Sequence, residues 1–580
     1  MAPSGYHSRQ TLASTDIASA IWRGFGEYSA EFASLTDGGI ACFQKRKWAE
    51  LHALTVDRLD LYERHVSSLV EQLQSSASAT RWTSAKANFA EAHTDAPLDI
   101  ATTFFNSVTR RIFQTVGVDD TIEFAEPNNS AVDTSVPIAE YDISVDFEAS
   151  LRAMLVDRDL GPKWRHLKRD VTLAAQEIRT RADYLDLGDL LTLVVAAPVF
   201  YRGRSAYIVG SMQTTRGSVP VAFAIHHTVP GLAIGAVLLE SSQLSALFSY
   251  TRAAFFVRVT KPGAMVSWLR ELLPHRDLHE LYSAIGYRKH GKTELFQDIM
   301  RCVDSTEHRF TQSRGVRGLV MIVFDLEGLG VVFKVIRDRF PYPKRTTRRA
   351  IEAKYRQVHR HDRAGRMIDA YNFSNLRLPV GVFSDQLLEE LRTDATRCVV
   401  IDDDFVTLQR VYVERKVVPL DIYVREANPI KAEAAIIDYG RAIKNLASAN
   451  IFPGDMLLKN FGVTHTGRVV LYDYDELCKV TDCRFREIPA STNADDDMSA
   501  DPWFSVGDND VFPEEFERFL GVRGELRQVF EFHHGDLWDP RFWRRAQERA
   551  TTGESIEVFP YEKSARLGAS TRATALRRMA

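Results

Sequence analysis

Apolar residues recur every three to four positions from about residue 15 to residue 115. In Trp48–Gln74 the repeat runs through Leu51, Leu54, Val56, Leu59, Leu61, Val66, Leu69 and Val70, which predicts a helix with one buried face. Between 205 and 240 the period changes. Ala206–Met212, Val219–Ile225 and Leu232–Leu239 are short runs of β-branched and small residues separated by Thr-Arg-Gly-Ser and Val-Pro-Gly. They predict an antiparallel meander. His226 and His227 close one of these strands, where a structural role is expected. Helical patterning returns over 245–310, with Trp268, Leu269, Leu272 and Leu273 as its buried stripe.

Near residue 312 the texture changes again. Leu319–Leu326 and Val331–Arg337 read as two strands joined by a Glu-Gly-Leu-Gly turn. Pro341–Arg366 is basic, with nine Lys or Arg against two acids. Strands are expected at Arg397–Ile401 and Val406–Glu414, then a long helix at about Ala432–Ala449. We place the domain boundary near 310, giving an N-terminal domain over 1–310 and a second domain over 311–580. One segment, Ile488–Glu517, holds nine acids and no Lys or Arg.

The 580 residues are 45% hydrophobic and 26% charged, with a net charge of −4. That composition excludes general disorder and a disulfide scaffold, and gives no electrostatic reason to expect a nucleic-acid partner. The longest apolar run, Leu190–Phe200, has 11 residues, against the roughly 20 that a membrane span needs. No signal-peptide pattern opens the chain, so a cytoplasmic protein without a membrane partner is expected. The five cysteines are sparse, as in a reducing compartment. Only Cys478 and Cys483 are near one another, and no second pair at zinc-ligand spacing follows them.

The second half carries a set of residues suited to phosphoryl transfer. That reaction asks for a phosphate cradle, a cation on the phosphates, metal-binding oxygens and a carboxylate beside the nucleophile. Ser313-Arg314-Gly315-Val316-Arg317-Gly318-Leu319 precedes a strand, and its two glycines let backbone N–H groups approach phosphate oxygens. Sixteen residues past Gly318, Lys334 interrupts the apolar strand. Burying it costs desolvation unless it meets an anion; an exposed edge strand is the other reading. Asn460 follows Asp455 by five positions and Asp473 follows Asn460 by 13, the spacing by which kinases place a catalytic carboxylate, a metal-binding amide and a metal-binding carboxylate. Asp455 would orient a hydroxyl and accept its proton. Asn460 and Asp473 would hold Mg²⁺ or Mn²⁺, and Lys459 would offset developing phosphoryl charge. The pattern departs from ordinary protein kinases: Pro453-Gly454-Asp455 stands where His-Arg-Asp is usual, Asp473-Tyr474-Asp475 replaces Asp-Phe-Gly, and no Ala-Pro-Glu follows.

The strings RGLVMIVF (from Arg317), VFKVIRDRF (from Val332), HDRAGRMID (from His361), NIFPGDMLLKNFGV (from Asn450) and VVLYDYDE (from Val469) resemble the bifunctional isocitrate dehydrogenase kinase/phosphatase family of bacteria. DPWFSV and DVFPEEF, within Asp501–Phe516, extend the likeness. The resemblance implies an α+β fold: a bilobal, protein-kinase-like catalytic domain preceded by a mainly helical regulatory domain with a small antiparallel sheet. It implies phosphorylation of a serine of isocitrate dehydrogenase with MgATP, and removal of that phosphate. This activity would control flux between the citric acid cycle and the glyoxylate bypass. ATP and ADP would be bound, AMP would act as allosteric effector, and a homodimer is an allowed assembly.

Carried onto this sequence, the nucleotide loop falls on Ser313–Leu319, the phosphate lysine on Lys334, and the catalytic and metal set on Asp455, Asn460 and Asp473, with Asp475 as a further acid. The family's active-site aspartate falls on Asp369; read from the residues alone, Asp369 is a cap or a salt-bridge partner after a basic helix. By analogy with kinases, the adenine-contacting hinge falls on Glu414–Val417. Glu352 is the candidate for the glutamate that pairs with the phosphate lysine. Ile488–Glu517 resembles the family's substrate-recognition loop, and an acidic segment suits the electropositive entrance expected of an enzyme for an anionic substrate. Two other readings are a small-molecule phosphotransferase and an inactive kinase fold acting as a nucleotide-gated binding module.

Overall fold

The computed structural model describes residues 13–92, 97–125, 135–249, 254–305, 308–342, 344, 346–361, 364–489, 504–552, 558–561 and 565–567. Contacts divide the chain into two units, Met1–Met300 with Pro560–Ala580, and Arg301–Phe559.

The first unit opens with helices Ser14–Gln44, Trp48–Leu73, Ala79–Glu91 and Leu98–Phe113. The second of these matches the expected span to within a residue. Gly24 lets the first two helices close: a Cβ there would lie 2.4 Å from Leu69 Cδ1. Trp22 stacks on Phe89 at 4.3 Å and donates its indole N–H to Phe89 O at 3.0 Å, so a large buried ring also has its polar atom satisfied.

The sheet of this unit has six strands: β1 (Ile138–Asp142), β2 (Leu190–Ala196), β3 (Phe200–Arg202), β4 (Ser205–Thr214), β5 (Gly217–His227) and β6 (Leu232–Leu238). Their order is β1-β2-β4-β5-β6, with β3 on β4. The meander read from sequence is its β4–β6 half. The apolar run at 190–200 adds two strands, and β1 is an edge strand with no buried residue to mark it. The chain past Pro560 was expected in the second domain, but it belongs to this unit. Tyr561 bonds His226 Nε2 at 2.7 Å, and Leu567 N–H donates to Gly235 O at 2.9 Å. Among the described residues no helix is long and apolar enough to cross a membrane.

The second unit has two lobes. In the first, β7 (Phe310–Gln312), β8 (Met321–Leu326), β9 (Val331–Ile336), β10 (Ala370–Pro379), β11 (Val399–Ile401) and β12 (Phe405–Arg415) form a sheet. The order is β10-β12-β9-β8-β7, with β11 on β12. Leu319 was expected to open β8; the strand starts at Met321, and Leu319 stays in the loop. The helix Arg348–His361 lies between β9 and β10 in sequence, and Asp385–Asp394 between β10 and β11. The second lobe is built on Pro429–Ser448, capped by Asn428, whose side chain accepts from Lys431 N–H, with Pro429 at the first helical position, where its missing N–H costs nothing. A three-stranded sheet, β13 (Val418–Pro419), β14 (Phe461–Val463) and β15 (Val469–Leu471), packs with it. The core of this lobe joins Ile436, Tyr439, Ile443, Phe461, Leu471 and Tyr474, all buried.

Candidate active site

β9 is a central strand, flanked by β8 and β12, so Lys334 cannot reach solvent along an edge and is 4% exposed. Its ammonium pairs with Glu414 Oε2 at 2.7 Å and donates to Tyr472 O at 2.7 Å. The register that sets Lys334 opposite Tyr412 and Val332 opposite Glu414 makes the first contact. The second ties the sheet lobe to the residue just before Asp473. Glu414 is 1% exposed. Burial pushes its carboxyl up, Lys334 opposes this, and the charges of Asp473 and Asp369 add to the rise. One cation and three carboxylates thus share a neighbourhood. Glu352, the sequence candidate for the partner of Lys334, pairs instead with Arg410 and, at 3.9 Å, with Arg356. The carboxylate expected at the adenine hinge, Glu414, is committed to the lysine.

The loop after the long helix carries the other groups. Gly454 has φ +75°, and a Cβ there would lie 2.3 Å from Glu476 O. Only glycine fits this approach, which accounts for the departure from His-Arg-Asp. Asp455 Oδ1 accepts from Leu457 N–H at 3.1 Å, and Asp455 O accepts from the Asn460 amide at 3.1 Å. One of the two Asn460 Nδ2 hydrogens is thereby held, which fixes the amide and leaves its oxygen for a ligand. Asn460 O accepts from Tyr472 N–H (3.2 Å) and Asp473 N–H (3.4 Å). The spacing of five and 13 residues is therefore closed into one hydrogen-bonded unit. Lys459, partly buried beside Asn460, has its carbonyl bonded by the Tyr472 hydroxyl.

Tyr474 replaces the usual phenylalanine because its hydroxyl has work to do. It accepts from Ile368 N–H at 2.9 Å and donates to Ile368 O at 2.6 Å. That clamp brings Asp369, the next residue, to the site. Asp475 Oδ1 is buried without a hydrogen-bond partner. Burial and the charge of Asp473 push its carboxyl up to about 7. An orphaned carboxyl oxygen beside a second carboxylate is the kind of group that a hard divalent cation takes up. Among the described residues no group of three or more His, Cys, Asp or Glu side chains encloses a metal position; the candidate set is two carboxylates and an amide.

Residues 308–563 match the family model described as the isocitrate dehydrogenase kinase/phosphatase (AceK) kinase domain, and residues 18–307 match the AceK regulatory domain. The chain belongs to the isocitrate dehydrogenase kinase/phosphatase family. It is 43% identical over 560 residues to the isocitrate dehydrogenase kinase/phosphatase of Anaeromyxobacter sp. (strain Fw109-5), covering 95% of this chain and 97% of that one. With the enzyme of the same name from Serratia proteamaculans (strain 568) it shares 37% over 576 residues, 96% and 98% of the two chains. With that of Paraburkholderia phytofirmans it shares 35% over 566 residues, 95% and 92%.

Sequence reasoning missed how this family member holds its glycine loop. Gly315 has φ +122°, with Pro419 and Ile422 the nearest atoms to a Cβ placed there. Val316 is exposed, and Ser313 Oγ bonds Asp325 at 3.0 Å. Arg314 pairs with Glu426 at 2.6 Å. Behind the loop, buried Glu390 of the helix Asp385–Asp394 accepts from Arg317 (3.0 Å), Arg337 (2.5 Å) and Gln312. Arg337 in turn donates to Gly318 O at 3.0 Å. Both ends of the loop thus hang on one carboxylate. The signal in the sequence was Arg337 itself, a second cation at the end of an apolar strand. Of the acidic segment, 490–503 lies outside the described residues. Within the described part, Asp510 is taken by Arg486, Glu517 by Arg527 and Glu515 by Arg518.

Proposed function

We propose that this protein transfers the γ-phosphoryl group of MgATP to a serine of isocitrate dehydrogenase and removes it again at the same site. The observation that carries the reading is Lys334, held at once by Glu414 and by Tyr472 O, one residue from Asp473. These contacts join the sheet lobe to the segment that carries Asp473, which supports a cation and metal-binding carboxylates acting together, as phosphoryl transfer needs.

Each group has a separable task. The Ser313–Leu319 loop supplies backbone N–H groups to the phosphates, and Lys334 counters their charge. Asp455 orients the serine hydroxyl and accepts its proton as the oxygen attacks. Lys459 offsets charge on the transferring group. Asn460, Asp473 and Asp475 are the residues that would hold Mg²⁺ or Mn²⁺, which neutralises phosphate charge when bound. In the reverse direction phosphoserine occupies the place of serine, with Asp369 and Asp455 as the carboxylates beside the phosphorus. The hinge backbone after Glu414 receives the adenine of ATP or ADP. The first unit senses AMP and shifts the balance between the two activities by binding it better in one conformation. Acting on a citric acid cycle enzyme places the protein in the cytoplasm.

The test offers phosphorylated and unphosphorylated isocitrate dehydrogenase to the protein, with and without ATP and with and without AMP. The expected result is ATP-dependent labelling of the unphosphorylated enzyme, loss of label from the phosphorylated one, and an AMP-dependent change in their ratio. Asp455→Ala lowers labelling by about 10²–10⁴-fold, the usual worth of a positioned base; unchanged labelling by this variant overturns the assignment.

A further inference from the structure

The geometry points to a reversible modification site beside the catalytic loop: Cys478 and Cys483 form a disulfide on exposure to a peroxide, and its formation suppresses phosphotransfer. The two sulfurs are 3.5 Å apart, both residues are free thiols, and both are partly exposed. They flank the short turn Val480–Asp482. Bonding them requires closing the sulfurs to about 2.05 Å, a movement of side chains and of that turn, not of whole elements.

The consequence follows from what each cysteine holds. Cys478 exchanges both backbone hydrogen bonds with Phe452, N–H to O at 3.0 Å and O from N–H at 2.8 Å. Phe452 lies three residues before Asp455, and Cys478 three after Asp475. On the other side, Gln547 pins the turn by donating to Val480 O (2.8 Å) and Cys483 O (2.6 Å). Phe452 is wedged against Phe485 and Trp543 at 5.6 and 5.3 Å. With Cys483 anchored, the displacement falls on Cys478 and passes to the two segments that carry Asp455 and Asp475. The Cys483 S–H bonded to it holds the Cys478 thiol below its ordinary pKa, burial opposing and Lys354 assisting, which makes Cys478 the attacking sulfur.

The chemistry balances with a peroxide as oxidant. The Cys478 thiolate attacks one peroxide oxygen, the O–O bond breaks, hydroxide leaves, and a sulfenic acid remains. The Cys483 thiolate then attacks that sulfur; the S–S bond forms as the S–O bond breaks, and the departing hydroxide takes up a proton as water. Two thiols lose two electrons and two protons, and hydrogen peroxide becomes two waters.

The effect on activity rests on the phosphotransfer reading above; the disulfide itself does not. The full-length protein is treated with hydrogen peroxide, alkylated, digested with trypsin and analysed by mass spectrometry without reduction. Trypsin cuts after Lys479, so the disulfide appears as VVLYDYDELCK (Val469–Lys479) joined to VTDCR (Val480–Arg484). The expected result is that joined species, with labelling of isocitrate dehydrogenase down about tenfold, equivalent to a small rise in barrier, and both reversed by dithiothreitol. Cys483→Ser should label isocitrate dehydrogenase normally, give no joined species and keep its activity in peroxide; Cys478→Ser checks the same from the other side. Absence of the joined species while other cysteines oxidise overturns the site. Its presence with undiminished labelling overturns the coupling. A reduced protein with no labelling at all would indict the phosphotransfer reading instead.

Discussion

The two units each hold a six-stranded antiparallel sheet, and the two sheets carry different cargo. In the first, β4 and β5 bury Ala206, Ile208, Val209, Val221, Phe223 and Ile225, and the buried polar groups on these strands are neutral: Ser205, Ser211, Thr214 and His227. In the second, strands of the same kind bury Asp325, Lys334 and Glu414, with Arg337 just past β9. Burying charge is costly unless it is paired, so nothing about stability asks for it. The sheet that tolerates it is the one whose charges meet the Asp455–Asn460–Asp473 unit. Between these two sheets, buried ionic groups on the strands are thus what separates the one beside the candidate site from the other.

Breaking that contrast should be most damaging at its centre. Glu414→Gln removes the carboxylate paired directly with buried Lys334, and should lower stability by up to about 3–5 kcal/mol, the usual cost of breaking a buried pair. Chemical denaturation measures it, and Lys334→Met with Glu414→Gln should be milder than the sum of the single changes.

The sheets also differ in their acid response. Burial and the charge of Arg566 lower the pKa of His226, in the first sheet, to about 4. A histidine held below its unfolded value of about 6.5 stabilises above that pH and loses the contribution as pH falls toward 4, by roughly 3 kcal/mol at most. The protection of β5 amides, corrected for the intrinsic exchange rate at each pH, should fall over that window in wild type and stay level in His226→Gln.

In the second unit, burial would raise Asp438, but the guanidinium of Arg366 at 2.6 Å overrides it and holds the carboxyl at about 2. Its contribution is complete above about pH 4 and is lost as pH falls toward 2, worth about 2.5 kcal/mol. Asp438→Asn should remove that slope from denaturation curves.

The smallest effect concerns the loop anchor. Glu390→Gln should raise KM for ATP by about tenfold while leaving kcat within a few-fold, because uniform binding is lost and not transition-state contact; an equal fall in kcat would place Glu390 in the chemistry.

Much of this was legible in the chain. Lys334, Asp455, Asn460 and Asp473 stand out by type and spacing, and the fold ties Lys334 to Tyr472 O and Asn460 to Asp455 O and Asp473 N–H. β8, β9 and β12 were visible as apolar runs. β10 was not, because Asn372, Ser374, Asn375 and Arg377 interrupt it and its partner β12 lies far along the chain. The Lys334–Glu414 pair was hidden for the same reason: the register that makes it is a property of the folded sheet, and kinase analogy directs attention to a helix. Tyr474 and Gly454 looked like departures from a motif, and only the closeness of Ile368 and of Glu476 O explains them. The return of the C-terminal segment to the first unit has no local signal at all.

In the function proposed above, one set of side chains serves both reactions. Asp473→Asn, assayed in parallel for labelling of isocitrate dehydrogenase and for release of phosphate from the phosphorylated form, tests this most directly. Both should fall together by about a thousandfold, as loss of preorganised charge at the phosphoryl group would cause. Phosphate release at the wild-type rate from a variant that no longer labels would contradict it.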